Sequence, residues 1–316
     1  RRQRQMCIRD RCTDIYAPQY DSGIMYNDKD LNIDWKLEEY GIPELTLSEK
    51  DKKHQSFKDY TENYQGDYVL LTGANGQLGQ DFQKLFDSLG VKYIATDCKE
   101  LDITDDKSVK MYIDKNNFTV VINCAAYNNV DKGEEEIKKC YALNTYAPKN
   151  LAEICKEKNK IFVTYSTDFI FDGEKEIPYT EEDIPNPLSV YSKSKLEGEK
   201  YSLKHEKSFI IRTSWVFGMG NNNFCKQVIN WSKSRDTLKI VDDQVSSPTY
   251  SKDLAEFSWD LIQTDKFGLY HFSNSGEASK YEQAEYILKK IGWSGKLERA
   301  KTDDFSSVSY THLTLP

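Results

Sequence analysis

Long apolar runs are missing from this 316-residue sequence. A membrane-spanning helix, which needs about 18 or more such residues in succession, is therefore not expected. Histidine is scarce: His54, His205, His271 and His312 are all there are, and they lie far apart. The seven cysteines include no CxxC pair, and Cys98, Cys124, Cys140, Cys155 and Cys225 are scattered. Neither residue offers the spacing of a zinc site. An odd cysteine count without a secretory signal reads as free thiols in a reducing compartment, the cytoplasm. Positive charge is in deficit as well, with 43 Lys and Arg against 51 Asp and Glu and a net charge of -8. A nucleic-acid groove or an anionic membrane face needs clustered cations, so neither partner is expected. Aliphatic core material is modest, but 21 Tyr and 14 Phe make up for it.

The chain reads as several segments. Residues 1–11 (RRQRQMCIRDR) and 307–316 have no period tied to their neighbours and resemble translated adapter sequence, so they are left out of the fold. Residues 12–57 are loop-rich and too short to bury a core alone. Residues 58–66 are a polar linker. From Asp67 the pattern changes. Short buried runs at Tyr68–Leu71, Tyr93–Thr96, Phe118–Ile122, Ile161–Tyr165 and Phe209–Ile211 alternate with helical stretches such as Leu78–Leu89 and Glu134–Lys158. This alternation predicts an α/β fold, a doubly wound parallel sheet of Rossmann type, over residues 67–212. Residues 213–306 are less regular and predict a smaller C-terminal substrate-binding lobe with strands returning to the sheet.

Gly73-Ala74-Asn75-Gly76-Gln77-Leu78-Gly79 follows the first run and opens a helix. Gly73, Gly76 and Gly79 are spaced for a tight turn that lets the backbone approach a pyrophosphate at the helix N-terminus. Alone, the turn would be read as structural; the strand before it and the helix after it favour a dinucleotide site. Asp97 ends the next strand, about 20 residues on, where a carboxylate can bond ribose hydroxyls. It would repel a 2′-phosphate, which favours NADH, although Lys99 could offset this. Either NADPH or NADH is thus the expected cofactor. After the Phe118–Ile122 run, the small residues of Asn123-Cys124-Ala125-Ala126-Tyr127 would let a cofactor lie against the sheet edge.

Tyr191-Ser192-Lys193-Ser194-Lys195 is a YxxxK pair, which a helix places on one face. Reduction of a ketone by hydride needs a proton donor. A lysine ammonium beside the phenol is expected to lower the phenol below its ordinary pKa of about 10. By itself this pair is common and would pass for solvated helix. Thr167, in SerThrAsp at the end of the Ile161–Tyr165 run, adds a hydroxyl at the carboxyl end of a strand, where ligands of such sheets bind. Its alternative role is a turn or cap. Thr167, Tyr191 and Lys195, in this order behind the glycine turn, form the predicted catalytic set.

The runs STDFIFDG, PYTEEDIPNPLSVYSKSKLEGE, RTSWVFG, NNNF, VDDQVSSPTY and GLYHFSNSGE occur in this order. Together they resemble the dTDP-4-dehydrorhamnose reductase family of extended short-chain dehydrogenases over about residues 67–305. The resemblance implies hydride delivery to C4 of a dTDP-sugar, giving dTDP-L-rhamnose. It implies Gly76, Gln77 and Leu78 at the pyrophosphate, and Asp97, Asp102 and Ile103 at the adenosine end. Ala125, Ala126, Tyr127 and Tyr165 would line the rest of the cofactor site. Thr167, Asp168 and Trp215 would face the sugar nucleotide; Trp215 reads equally well as a core aromatic. Tyr191 would donate the proton, and Lys195 would hold both Tyr191 and the nicotinamide ribose. Asn144 matches a family asparagine that supports the catalytic helix. Some members hold a divalent cation at a dimer contact; the corresponding position here is Asp81, so Mg2+ stays unassigned, no metal ligand is named, and a homodimer is possible. Residues 12–57, through YAP, GI, YND, IDW and LSEKD, resemble the C-terminal end of dTDP-4-dehydrorhamnose 3,5-epimerase without that enzyme's catalytic residues. They imply a fused gene. Two alternatives share the glycine turn and YxxxK: a sugar-nucleotide epimerase or dehydratase of the same type, and the non-catalytic regulatory subunit of methionine adenosyltransferase.

Overall fold

Val69, Leu70 and Leu71 expose nothing to solvent, and a strand buried on both faces belongs inside a sheet covered by helices on either side. In the computed structural model these residues form β1 (Tyr68–Thr72). The structure describes residue 29 and residues 68–175, 177–220 and 223–305. The chain divides into two compact units, Arg1–Gly66 and Asp67–Pro316. Apart from residue 29, the epimerase-like segment 12–57 lies outside the described residues, as do the linker and both adapter-like ends.

The strands β1, β2 (Lys92–Thr96), β3 (Val120–Asn123), β4 (Ile161–Thr167) and β5 (Ser208–Thr213) pair in parallel, and a strand from later in the chain, β10 (Gly268–His271), joins at the β5 edge. The order is β10-β5-β4-β3-β1-β2. The helices are α1 (Gln77–Leu89), α2 (Asp106–Lys115), α3 (Val130–Gly133), α4 (Ile137–Tyr141), α5 (Ala147–Glu157), α6 (Val190–Ser202), α7 (Phe224–Ser232), α8 (Ser251–Ile262) and α9 (Lys280–Lys290). Alternation along each strand sorts the core into two layers. Val69 and Leu71 pack with Phe82 and Phe86 of α1 and with Leu254 and Trp259 of α8. Leu70 points the other way, toward Val109 and Ile113 of α2 and Leu151 and Cys155 of α5. The winding direction reverses between β1 and β3, and sheets of this kind bind ligands outside the strand ends at that point. There a ladder of side chains ties the strands: the Thr72 hydroxyl donates to Asn123 Oδ1 at 2.8 Å, and the Asn123 amide donates to Thr164 Oγ1 at 3.3 Å.

One expectation about the elements changes. Residues 134–158 are not one helix but α4, a π-helical turn (Ala142–Tyr146) and α5. Pro148, near the start of α5, has no N–H to continue the ladder. The widened turn places the Asn144 side chain where it bonds both backbone groups of Tyr127, at 2.9 and 3.0 Å, and donates to Ser194 Oγ at 3.1 Å. Wide turns of this type often sit where a side chain has a job.

Ser194 belongs to α6, which starts at a reciprocal cap: Ser189 Oγ accepts from the Ser192 N–H, and Ser192 Oγ accepts from the Ser189 N–H. Glu134 takes the Val190 N–H at 2.8 Å. Gly198 lets α6 lie against the π turn, since a Cβ there would run into the Asn144 carbonyl oxygen. Gly198→Ala should therefore destabilise the protein by about 1–3 kcal/mol, as overpacking does. Urea unfolding checks this; an unchanged midpoint would show that α6 does not need this close approach.

The remaining strands form three short pairs: β6 (Val216–Phe217) with β9 (Thr249–Tyr250), β7 (Thr237–Val241) with β12 (Lys296–Ala300), and β8 (Val245–Ser246) with β11 (Ala278–Ser279). Val228, Leu238, Ile240, Tyr281, Ala284 and Leu288 give this lobe its own small core between α7, β7 and α9.

Candidate active site

The glycine turn closes tightly at the end of β1. Gly73 has φ +68°, and a Cβ there would stand 2.5 Å from the Ala125 backbone nitrogen, so the first glycine is fixed by both conformation and contact. A Cβ on Gly79 would meet the Gly73 carbonyl oxygen. Gly76 caps α1 without any side-chain bond, and the first turn of α1 carries no acidic residue. Its N-terminal N–H groups and dipole are left for an anion. Asp97, at the end of β2, turns back to this loop and accepts from the Asn75 N–H at 3.2 Å.

Gly76, Gln77 and Leu78 line a cleft of about 480 Å³ together with Cys124, Ala126, Tyr165, Thr167, Asp168, Tyr191, Lys195 and Trp215. The glycine turn, the Thr167–Tyr191–Lys195 set and both other substrate-facing candidates thus share one cavity. Gly73 and Gly79 stand behind its wall. Asp97, Asp102 and Ile103 are not part of it: Asp102 accepts from Thr104, and Ile103 is buried in the core. Ala125 packs beneath Gly73. Tyr127 turns away, its hydroxyl donating to Glu136 at 2.9 Å; burial and that carboxylate push its pKa up to about 12.

Tyr191 is 8% exposed, and Phe169 meets its ring edge-on at 6.3 Å. Burial drives its phenol well above the ordinary value, the Asp168 charge raises it further, and a hydrogen bond with Thr167 partly offsets this. The anticipated lowering by Lys195 is not what the geometry gives. The Lys195 ammonium donates to the Tyr165 carbonyl at 3.0 Å, and burial lowers it to about 8. Tyr165 Oη in turn donates to Ser258 at 2.9 Å.

Asp168 is the second buried acid of the cleft. Oδ1 accepts from the Thr167 hydroxyl at 3.1 Å and Oδ2 from Ser246 at 2.9 Å, yet burial outweighs both bonds and lifts the carboxyl from 3.8 to about 6. Below about pH 4 the carboxyl is protonated whether the chain is folded or not; as pH rises the unfolded chain releases its proton first, and the folded state loses stability up to about pH 6. Asp168→Asn should therefore be nearly neutral at about pH 4 and more stable than the parent by about 2–3 kcal/mol at about pH 7.5. Denaturant melts at both pH values test this, and a difference that does not change with pH would rule it out.

Trp215 lines the cleft in a left-handed conformation, φ +40°, a costly backbone state for a bulky residue and one that clusters at functional sites. Sequence reasoning missed several cleft residues: Ser166, Thr213, Asn223, Phe224, Lys280 and Gln283. Ser166 and Thr213 adjoin motifs that were visible. Lys280 and Gln283 sit on α9, whose start carried a readable sign in Ser279 and Glu282, a capping box. Ser166 Oγ, Thr213 Oγ1 and Gln283 Oε1 are buried without a hydrogen-bond partner, as expected of groups that meet a ligand. With the bare helix start of α1, they fit a dinucleotide and a polar second molecule. Asp81 is buried and internally bonded, to Ser251 and Lys84. Among the described residues no cluster of His, Cys, Asp or Glu suits a metal.

The profile of the family described as RmlD substrate binding domain matches residues 67–309, and that of dTDP-4-dehydrorhamnose 3,5-epimerase matches residues 3–59. A dTDP-4-dehydrorhamnose reductase of Aggregatibacter actinomycetemcomitans is 42% identical over 228 residues, covering 70% of this chain and 78% of that protein. The crystal structure of a dTDP-4-dehydrorhamnose reductase from Clostridium acetobutylicum superposes with a TM-score of 0.76 at 39% identity, covering 79% of this chain and 90% of that one. A Bacillus anthracis dTDP-4-dehydrorhamnose reductase in complex with NADP gives 0.77 at 34% identity, with the same coverage of 79% and 90%.

Proposed function

This chain belongs to the RmlD substrate-binding-domain family, and from that we propose that it reduces the C4 ketone of dTDP-4-dehydro-L-rhamnose to dTDP-L-rhamnose with NADPH or NADH. The observation that carries the proposal is the shared cleft, in which the helix start that suits a pyrophosphate faces a phenol, an ammonium and a hydroxyl.

When bound, the reduced nicotinamide supplies the hydride. Gly76, Gln77 and Leu78 would hold the pyrophosphate at the start of α1, with Gly73 and Gly79 shaping the turn. Asp97 would hold the adenosine ribose, and Asp102 and Ile103 the adenine end. Ala126 and Tyr165 would form the wall beside the sheet, with the backbone of Ala125 and Tyr127 behind it. Burial keeps the Tyr191 proton in place at neutral pH, which a donor requires, and the phenol passes it to the C4 oxygen as negative charge develops there. Thr167 Oγ1, bonded to Tyr191, orients the phenol, and by turning its single proton away from Asp168 it can donate to the same oxygen. Lys195 fixes the cofactor side from its bond to the Tyr165 carbonyl. Asp168 and Trp215 face the sugar. Asp97 favours NADH by repelling a 2′-phosphate, whereas the Bacillus anthracis relative carries NADP; rates with the two cofactors will rank them.

The test is to mix the protein with dTDP-4-dehydro-L-rhamnose and either reduced dinucleotide. Near-ultraviolet absorbance of the reduced ring should fall in step with formation of a sugar nucleotide heavier by two hydrogens. An epimerase would interconvert isomers with no net loss of that absorbance, and this result would overturn the proposal.

A further inference from the structure

We infer that Lys280 binds the diphosphate of the sugar nucleotide and so sets the enzyme's affinity for a charged substrate. This rests on the dTDP-sugar reading above and names the residue that meets its charged part.

Lys280 lines the same cleft as Thr167, Tyr191 and Trp215. Its ammonium lies over the Trp215 ring, 3.3 Å from the centroid, and 4.5 Å from the centroid of Phe224. A lysine is an odd choice there. It is the first residue of α9, where the helix dipole disfavours a cation, and the Ser279–Glu282 cap already serves that helix end. Among the described residues Lys280 forms no ion pair. Asp168 acts on it by charge without a hydrogen bond, its two oxygens accepting from the Thr167 and Ser246 hydroxyls. The cleft's other ammonium, Lys195, is engaged with the Tyr165 carbonyl. Yet a dTDP-sugar brings two negative charges into a cleft that already holds Asp168, on a protein of net charge -8. A cation beside them would offset that charge, and Lys280 is in place to supply it. Gln283 follows three residues later on the same helix face, with its side-chain oxygen buried and unpartnered in the same cleft. Its amide can turn an N–H toward the same anion.

The surroundings give this site a signature in pH. The groups acting on Lys280 are the Asp168 carboxyl, the Cys225 thiol and the two aromatic rings, and burial among them lowers it to about 7. An arriving diphosphate favours the charged form, so binding above that pH takes up a proton. Affinity should be full below about pH 7 and decline by up to about tenfold per pH unit above it.

Isothermal titration calorimetry with dTDP-glucose tests this, since both of its phosphates are esterified and neither titrates near neutrality. Titrations at about pH 8 in two buffers of different ionisation enthalpy report proton uptake. Uptake of a fraction of a proton by the parent supports the inference. So does a Lys280→Met variant that binds about 10–100-fold more weakly with no uptake, and a Lys280→Arg variant that binds well with no decline at high pH. Thymidine, which lacks phosphate, should bind all three alike. The inference is overturned if Lys280→Met keeps parental affinity, if proton uptake persists without the lysine, or if thymidine binding falls in the same proportion. The reductase reading fails separately, through absence of dinucleotide oxidation by the parent protein, whatever dTDP-glucose binding shows.

Discussion

Tyr191→Phe should lower turnover by about 10²- to 10⁴-fold, the usual worth of a positioned acid, while leaving dinucleotide affinity near that of the parent. The substitution removes one oxygen and little else: the ring is buried, packs edge-on against Phe169, and keeps that contact as phenylalanine. What disappears is the proton that burial and the neighbouring Asp168 hold on the phenol, and the bond to Thr167. The same raised value predicts asymmetry between directions. Reduction starts from the neutral phenol and should run across the neutral range, whereas oxidation of dTDP-L-rhamnose must start from the phenolate and should improve with alkali. Steady-state rates in both directions, with cofactor binding followed by fluorescence, check the prediction. A phenylalanine variant that keeps a tenth or more of parental turnover would remove Tyr191 from the chemistry.

Glu199→Ala should cost about 3–5 kcal/mol of stability and lower the melting temperature by roughly ten degrees, taking about 2–4 °C per kcal/mol for a unit of this size. Glu199 lies one helical turn beyond Lys195. Its carboxylate accepts from Arg212 through Nε at 3.1 Å and Nη2 at 2.8 Å, with the two side chains 3% and 4% exposed. Arg212 also meets His271 Nε2 at 3.2 Å and lies over the Phe171 ring. Removal of the carboxylate leaves a guanidinium buried without its counter-charge, which is what makes the loss large. Replacement of both partners, Glu199→Leu with Arg212→Met, should cost much less, because no charge is then stranded. The single variant has a second effect that a purely structural residue would lack. Glu199 is the largest influence keeping Lys195 charged, so the alkaline limb of the activity profile should move to lower pH. Equal melting temperatures for the parent and Glu199→Ala would sink the argument.

The inner strands were legible because they are buried on both faces and so read as apolar runs: Tyr68–Thr72 and Ile161–Thr167 begin where those runs start in sequence. The edge strand Lys92–Thr96 is only partly covered, yet it begins within a residue of the run seen at Tyr93. The glycine turn and YxxxK were legible for a different reason, since each is a local pattern whose geometry follows from spacing alone. What escaped was non-local. Strands returning to the sheet from residues 213–306 were expected, but not which run: GLYH is only half-buried, so it lacks an apolar run, and nothing near it in sequence says that it pairs with Phe209–Arg212. The break at Asn144 depends on an amide reaching Tyr127, 17 residues away. Lys280 was invisible as a site residue because a lysine at the start of an amphipathic helix looks solvated; only the folded lobe lays it over Trp215. The phenol–ammonium relation was misjudged on similar grounds. Four residues along a helix bring Lys195 near Tyr191, but the carbonyl that captures the ammonium belongs to β4.

The return of β10 to the sheet has a consequence for how the chain is made and how it moves. After Thr213 the backbone leaves for the lobe, comes back as α8 and β10, and departs again at Phe272, so three covalent crossings join the two parts. Three such crossings limit how far the lobe can swing from the cleft, and heating should give one transition for both parts. A nascent chain that has reached only Thr213 would present the β5 edge with its backbone groups unpaired and Phe209 uncovered by Phe267 and Tyr270, a sticky margin that persists until the later strand arrives to shield it.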